Sequence, residues 1–368
     1  MKVLQLIYSR NFAGSERSVL TLSKALAAAG CEVVVAVKDG GVLKERYQRE
    51  GLRVIELPLN AFFIKRRLAR WVKEHRIDVV HAHLTEATRL ACDLHRRLGI
   101  PVVTHLRILR DAPAYHDAAK AGLLIANSAH TARYYIEEAG ISPDRIRTIP
   151  NATLALNDPL ASTPSDDLAR DVRRELALPD DARLIILPGR IAPGKGHETL
   201  LYAMPVVLKQ HPGAHILVAG NIDQKPRFVR KLLKLRDELG LKSRVHFLGF
   251  RPDVLRLTRA SEIQLVPSER EPFGLVVIEA MAMGVPIIGA DSGAIPDILE
   301  GGTLGTLTPY GDAPALAEAI ITTLSDPAFA QLKAENAQAR VRELYSPEML
   351  AAQVMDVYSS VMPAPFTT

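Results

Sequence analysis

Residues 183–196 read Arg183-Leu-Ile-Ile-Leu-Pro-Gly-Arg-Ile-Ala-Pro-Gly-Lys-Gly196, and this stretch decides the fold of the C-terminal half. A short apolar run leads into a glycine-rich turn, and a helical pattern begins at His197. A buried strand that passes through glycines into a helix is typical of a βα unit in a parallel sheet. The stretch therefore predicts a doubly wound α/β domain whose ligands bind at the carboxyl ends of the strands.

The same strand–helix alternation extends from this stretch in both directions. Apolar runs bounded by turns predict further strands at 3–8, 32–37, 78–82, 101–105 and 123–126 before it, and at 215–219, 244–248, 263–266 and 285–288 after it. A polar, proline-rich segment at 157–167 separates the two series. The chain of 368 residues is thus expected to form two Rossmann-like domains that face each other across a cleft.

Composition and charge narrow the classes of protein. The chain is 48% hydrophobic and 24% charged and has 2 cysteines, which excludes disordered and disulfide-stapled classes. No run of 18 apolar residues predicts a membrane span. Residues 1–150 hold 24 Lys and Arg against 15 Asp and Glu, whereas the remainder holds 22 against 26. The basic N-terminal half favours anionic partners such as phosphates, nucleic acid or an anionic membrane face.

The loop from Gly189 to Gly196 nearly matches the phosphate-binding pattern G-x-x-x-x-G-K-[ST]. Gly196 stands where that pattern needs a hydroxyl to hold magnesium, and Arg190 adds a cation beside Lys195. Two cations on a glycine loop at a helix N-terminus predict a metal-independent diphosphate clamp. The alternative is a basic βα loop that binds no ligand.

A pair of glutamates eight residues apart forms the second motif. Glu271 precedes the backbone amides of Phe273, Gly274 and Leu275, and Glu279 lies about two turns into the following helix. The helical rise places the two carboxylates roughly 10 Å apart, too far for an acid–base pair on one bond. The spacing suits two hydroxyl-bearing groups on either side of a diphosphate. The alternative is that Glu271 caps the helix and Glu279 is a surface charge.

Together these motifs resemble those of the retaining GT-B glycosyltransferases of group 1, also called family four, over nearly the whole chain. Similar turns occur at 81–83, 126–128, 149–151, 247–249 and 292–297. The resemblance implies an acceptor-binding domain at 1–165, a nucleotide-sugar domain at 166–345, and a C-terminal helix within 346–368 that crosses back to the first domain.

The resemblance also implies roles for single residues. Arg190 and Lys195 bind the donor diphosphate and neutralise the leaving nucleotide, with the amides at Phe273, Gly274 and Leu275 beside them. Glu279 takes the ribose hydroxyls and Glu271 the hydroxyls of the transferred sugar. The backbone at Phe250 and Arg251 meets the nucleobase. In the first domain, Gly14 approaches the donor phosphates and His105 lies near the donor sugar.

The function that follows is retaining, metal-independent sugar transfer from a UDP- or GDP-sugar, with no other cofactor. The expected acceptor is a glycan or lipid-linked intermediate of cell-envelope or exopolysaccharide synthesis. The expected location is the cytoplasm, with peripheral attachment to the inner face of the membrane as an option. The alternatives are a GT-B sugar-nucleotide epimerase and a non-catalytic nucleotide-binding protein at a membrane surface.

The segment at 60–76 combines an apolar stripe with a dense basic face. Such a helix either lies on an anionic membrane or packs as a connecting helix with a solvated basic side. Nucleic acid is not an expected partner, because no recognition motif accompanies the charge.

Overall fold

The computed structural model describes residues 1–58, 61–222 and 225–362. The chain divides into two compact units. Unit 1 is Met1–Ala152 together with Tyr345–Thr368, and unit 2 is Thr153–Leu344. The last residues of unit 1, 363–368, and the predicted helix start at Asn60 lie outside the described part.

Unit 1 contains a parallel sheet of seven strands in the order β3-β2-β1-β4-β5-β6-β7. This is the strand order of a Rossmann-like fold, in which the order of the strands switches between β1 and β4. The strands are β1 Lys2–Ile7, β2 Glu32–Lys38, β3 Arg53–Leu57, β4 Val79–His83, β5 Val102–Leu106, β6 Leu123–Ala126 and β7 Ile146–Thr148.

Helices cover both faces of this sheet, as parallel strands require. They are α1 Gly14–Ala28, α2 Leu43–Arg49, α3 Ala61–Glu74, α4 Thr85–Leu98, α5 Pro113–Ala121 and α6 Ala129–Arg133. Alternate residues of β1 face opposite sides, so Val3 joins the core with α1 whereas Leu4 joins the core with α3.

Unit 2 repeats the design with six parallel strands in the order β10-β9-β8-β11-β12-β13. The strands are β8 Arg183–Pro188, β9 Ala214–Ala219, β10 Val245–Gly249, β11 Ile263–Val266, β12 Ile287–Ala290 and β13 Thr306–Thr308. The helices are α7 Ser165–Glu175, α8 His197–Gln210, α9 Pro226–Glu238, α10 Val254–Arg259, α11 Leu275–Ala282, α12 Ile295–Ile298, α13 Ala313–Ser325 and α14 Pro327–Leu344.

The final helix, α15 Pro347–Val361, belongs to unit 1 although it follows unit 2 in the chain. Its Leu350, Val354 and Tyr358 are buried in the same apolar cluster as Val19 and Leu22 of α1. The C-terminal helix therefore crosses back to the N-terminal domain, as expected.

The sequence and the structure differ in two places. Residues 153–165 were expected in the first domain and Tyr345 in the second, but 153–165 belong to unit 2 and Tyr345 to unit 1. In unit 2, Leu160 packs against the core around Leu168, and Arg259 donates to the Thr163 carbonyl at 3.1 Å. Three strands, β3, β7 and β13, were not predicted. They are short and carry polar residues, so their apolar signal is weak.

Candidate active site

Three loops of unit 2 meet at the carboxyl end of its sheet. They follow the neighbouring strands β8, β11 and β12 and comprise residues 189–196, 267–274 and 291–294. The Glu269 amide donates to the Gly194 carbonyl at 2.8 Å, and the Ala294 amide donates to the Glu271 carbonyl at 2.9 Å. The middle loop is thus hydrogen-bonded to both of the others.

Glycine is required where these loops touch. Gly196 has φ +74°, and a Cβ there would lie 2.2 Å from the Pro267 carbonyl oxygen. Gly293 has φ +65°, and a Cβ there would lie 2.6 Å from the Glu271 nitrogen. Both positions combine a left-handed backbone with a contact that excludes any side chain.

The structure brings Lys195 and Glu271 together as an ion pair between Nζ and Oε1. Their side chains are 21% and 15% exposed, so the pair faces solvent only in part. Arg190 is exposed and pairs with no carboxylate in the described ranges. The loop therefore offers one cation held by a carboxylate and one that is open to an anion.

The second glutamate is buried. Glu279 is 6% exposed within α11, which excludes the alternative that it is a surface charge. Phe273 is also buried at 4%, and Gly274, with φ +102°, caps the start of the helix at Leu275. The first amides of α11 are thus at the same sheet edge as Glu271, and their use by a diphosphate stays a prediction.

The predicted nucleobase position lies just after β10. Phe250 is 61% exposed. The Arg251 guanidinium is engaged elsewhere, with Glu175 Oε1 and Asp253 Oδ2 each at 2.7 Å. Its hydrogen bonds lower the pKa of the Asp253 carboxyl to about 2. The Arg251 side chain is therefore held by two carboxylates of unit 2, whereas the Phe250 ring is accessible to a base.

Unit 1 has a buried polar cluster toward the carboxyl edge of its own sheet. Parallel register places His83 beside His105 and Gln5 beside His81. The side chains alternate, so all four lie on the face covered by α1 and α15. His81, His83 and His105 are each 0% exposed.

Arg107 lies one residue beyond β5 and is hydrogen-bonded to this cluster. Its Nε donates to His83 Nδ1 at 3.1 Å, its Nη2 lies 3.2 Å from His105 Nδ1, and its Nη1 donates to Asn151 Oδ1 at 2.6 Å. Burial lowers the pKa of the Arg107 guanidinium to about 9, so it remains a cation at neutral pH. The cluster is therefore positively charged without any histidine being protonated.

The three histidines are close enough to hold a metal ion, with one ligand atom of each within 4.8 Å of the others. Hydrogen bonds oppose this use, because His83 Nδ1 accepts from Arg107 Nε at 3.1 Å and His83 Nε2 lies 2.6 Å from Gln5 Oε1. A neighbouring guanidinium also repels a metal cation. The cluster fits a hydrogen-bond network better than a metal centre, and the expected absence of a metal stays a prediction.

Gly14 is exposed and is the first residue of α1. Glu16 Oε2 accepts a hydrogen bond from the Ala13 amide at 3.1 Å and so caps the helix start. The contact of Gly14 with a donor phosphate stays a prediction.

The basic segment at 60–76 forms α3, whose described apolar residues face inward. Ile64, Leu68 and Val72 are each 2% exposed and pack in the core. The side chains of Arg66, Arg67, Arg70 and Lys73 are exposed. The packed interpretation is therefore confirmed for the described part of the apolar stripe, and attachment to a membrane stays a prediction. In the described ranges we find no helix with the length and apolarity needed to span a bilayer.

Several residues at these sheet edges had not been singled out from the sequence. They are Gln5, Arg107, His197, Glu269 and Tyr358. His197 follows the glycine loop, is 2% exposed and has no described hydrogen-bond partner at either ring nitrogen. Burial, with Lys195 nearby, lowers its pKa to about 4. Single polar residues at strand ends carry no motif, so only the fold reveals their proximity.

The two units, each with a Rossmann-like parallel sheet and polar loops at its carboxyl edge, define an α/β protein of the GT-B fold class. Family models match both units. Residues 12–153 match "Glycosyltransferase Family 4" and residues 169–340 match "Glycosyl transferases group 1". The chain belongs to the group 1 glycosyltransferases.

Curated relatives agree with this membership. A D-inositol 3-phosphate glycosyltransferase of Corynebacterium efficiens is 30% identical over 66% of this chain and 58% of that protein. A phosphatidyl-myo-inositol mannosyltransferase of Mycolicibacterium smegmatis is 28% identical over 95% of this chain and 90% of that protein. An uncharacterised glycosyltransferase of Methanocaldococcus jannaschii is 33% identical over 52% of this chain, and the match spans only 48% of that protein.

A solved structure supports the fold. HepE from Anabaena, crystallised with UDP and glucose, has a TM-score of 0.86 and 24% identity, covering 98% of this chain and 100% of that one. At this identity the likeness establishes the fold alone.

The contact at Gly196 can be tested against a matched glycine. We expect Gly196→Ala to lower the free energy of unfolding by more than Gly240→Ala does. Both glycines have positive φ, which costs alanine about 1–2 kcal/mol, but a Cβ at Gly240 meets nothing within 4 Å. Urea unfolding followed by circular dichroism measures both variants, and equal losses would contradict the close packing of the loops.

Proposed function

We propose that this chain is a retaining, metal-independent glycosyltransferase that moves a sugar from a nucleotide-diphosphate sugar to an anionic glycan or lipid-linked acceptor. The observation that carries the proposal is the Lys195–Glu271 pair at the carboxyl edge of the unit 2 sheet. Family membership supplies the reaction class, and the pair supplies a cation for the phosphate and a carboxylate for the sugar.

The chemistry depends on the charge that develops when the sugar–phosphate bond breaks. Positive charge grows at the anomeric carbon and negative charge at the leaving diphosphate. Lys195, Arg190 and the first amides of α11 would stabilise that negative charge, because fixed donors need no reorganisation during the reaction. This arrangement performs the role that a divalent metal takes in other transferases.

The ion pair makes donor binding an exchange of partners. Without a donor, Glu271 neutralises Lys195. A diphosphate competes for the ammonium and repels the carboxylate, so Glu271 is released to accept hydrogen bonds from sugar hydroxyls. A complete nucleotide sugar satisfies both groups, whereas a bare nucleotide diphosphate leaves the carboxylate beside added negative charge.

The nucleoside end of the donor would use two further residues. The exposed ring of Phe250 offers a face for the base, and the buried carboxylate of Glu279 offers an acceptor for the ribose hydroxyls. The Anabaena relative in structure binds UDP and glucose. We therefore favour UDP-sugars over GDP-sugars as donors.

The acceptor is proposed from charge and from relatives. Two curated relatives act on inositol phosphate and on phosphatidyl-myo-inositol, both anionic by name. The basic face of α3 and the excess of Lys and Arg in residues 1–150 suit an acceptor of this charge. Cell-envelope or exopolysaccharide synthesis and attachment to an anionic membrane stay proposals, and co-sedimentation with anionic vesicles at low and high salt measures the attachment.

The exchange of partners predicts opposite effects for the two residues of the pair. Lys195→Ala should weaken UDP binding about tenfold or more, because a charge-assisted hydrogen bond is lost. Glu271→Gln should tighten UDP binding and yet slow sugar transfer, because it frees Lys195 but removes the acceptor for the sugar. Calorimetry in the presence of a chelator measures binding.

The control for this test is Lys234→Ala, because the Lys234 side chain is 78% exposed and pairs with Glu238 on the surface. We expect no change in UDP binding there. Weaker UDP binding by Glu271→Gln, or unchanged binding by Lys195→Ala, would contradict the proposed clamp.

Phe250→Ala should weaken UDP binding by about 1–3 kcal/mol, the usual contribution of one aromatic ring stacked on a base. Binding of inorganic diphosphate should not change, since it lacks a base. Phe329→Ala, which removes another exposed ring at 56%, is the matched control. An equal loss of affinity for diphosphate would show that Phe250 acts on the loop structure and not on the base.

A further inference from the structure

The hydrogen bonds of Arg107 fix the protonation of the histidines around it. A guanidinium has only N–H donors, so each histidine nitrogen that it contacts must be an acceptor. Arg107 contacts Nδ1 of both His83 and His105, at 3.1 and 3.2 Å. Neutral imidazole carries its single proton on the other nitrogen, so both rings carry it on Nε2.

The second contact of His83 agrees with this assignment. Its Nε2 lies 2.6 Å from Gln5 Oε1, an acceptor that requires a proton on the ring. The amide of Gln5 then donates to the Tyr358 hydroxyl at 3.1 Å, and that hydroxyl lies 2.7 Å from His81 Nδ1. Each hydrogen bond in this series is thus donated in the same direction, from Arg107 through His83 and Gln5 to the Tyr358 hydroxyl of α15. That hydroxyl in turn faces His81 Nδ1.

His105 differs from His83 at Nε2, because no described residue accepts a hydrogen bond from this atom of His105. His105 Nε2 is buried and has no hydrogen-bond partner among residues 1–58, 61–222 and 225–362. An N–H group left unpaired in a protein interior costs free energy, and functional sites are where such costs are retained. The group is thus available to an oxygen that a ligand supplies.

We infer that Arg107 is a positioning residue that holds His105 as the Nε2–H tautomer, so that His105 donates a hydrogen bond to an oxygen of the substrate and does not act as a base. The substrate oxygen in this inference depends on the proposed sugar transfer, whereas the tautomer of His105 depends only on contacts within the protein. Asn151 completes the arrangement, because its Oδ1 accepts from Arg107 at 2.6 Å and fixes the guanidinium plane.

Electrostatics keeps the histidines neutral in this arrangement. Burial first, and then the charge of Arg107, lower the pKa of His105 well below its ordinary value, and His81 also contributes. The pKa of His83 is lowered by the same causes. The other titratable groups that influence the pKa of Arg107 are Tyr47, Glu16 and Tyr358, which all raise it. A charged His105 would stand beside a buried cation, which is strongly unfavourable.

The first test measures the tautomer directly on the wild-type protein without substrate. Two-dimensional NMR of ¹⁵N-histidine-labelled protein distinguishes protonated from unprotonated ring nitrogens, and His105→Asn identifies the signals of His105. We expect a proton on Nε2 and none on Nδ1, unchanged between about pH 6 and 8. A proton on Nδ1, or a titration of His105 in that range, would overturn the inference.

The second test separates positioning from a purely structural role. Arg107→Met should give mixed tautomers of His105 and, if donor turnover is observed, reduce kcat about tenfold, the usual effect of one misdirected hydrogen bond. The double variant with His105→Asn should be no slower than His105→Asn alone, because Arg107 acts through His105. If the two substitutions instead lowered kcat by independent factors that multiply in the double variant, the positioning role would be contradicted. Arg110→Met, in an exposed position of the same loop, is the control and should change neither readout.

The two tests also distinguish this inference from the proposed function. If no donor is turned over but the Nε2–H tautomer is found, sugar transfer is wrong and the assignment of Arg107 stands. If transfer is observed and the tautomer is not Nε2–H, the function stands and the positioning role is wrong.

Discussion

Parallel pairing of neighbouring strands is the constraint on which both polar clusters depend. In unit 2, β11 pairs with β8 and β12, so the loops that carry Lys195 and Glu271 leave the sheet at the same edge. In unit 1, the pairing of β4 with β5 sets His83 directly beside His105. Backbone hydrogen bonds between parallel strands therefore place side chains that are far apart in sequence at the same edge of a sheet.

Much of this arrangement could be predicted from the sequence because its signals are local. The strand and glycine turn around Gly189 are continuous in the chain, and the spacing of Glu271 and Glu279 lies within a single loop and helix. The ion pair between Lys195 and Glu271 was not predicted, since its partners are 76 residues apart. Local patterns place residues at a sheet edge but do not say which of them touch.

The cluster in unit 1 shows the limit more clearly. The alternation at His81 and His83 is visible in the sequence, and it indicates a shared face of a strand. Arg107 stands in an ordinary run of apolar and basic residues, and Tyr358 is 353 residues from its partner Gln5. No periodicity or spacing joins them, because the contact depends on α15 packing on a sheet formed by the opposite end of the chain.

The proposed roles of Lys195, Arg190 and Glu271 all depend on sugar transfer from a nucleotide sugar without a metal. The direct measurement is nucleotide release from a panel of UDP- and GDP-sugars, with inositol phosphate, glycan or lipid-linked acceptors, with and without a chelator. We expect one donor to yield free nucleotide and a glycosylated acceptor of unchanged anomeric configuration, at the same rate with the chelator present. Release that stops when metal is removed, or an inverted product, would contradict it, as would the absence of release with every donor and acceptor.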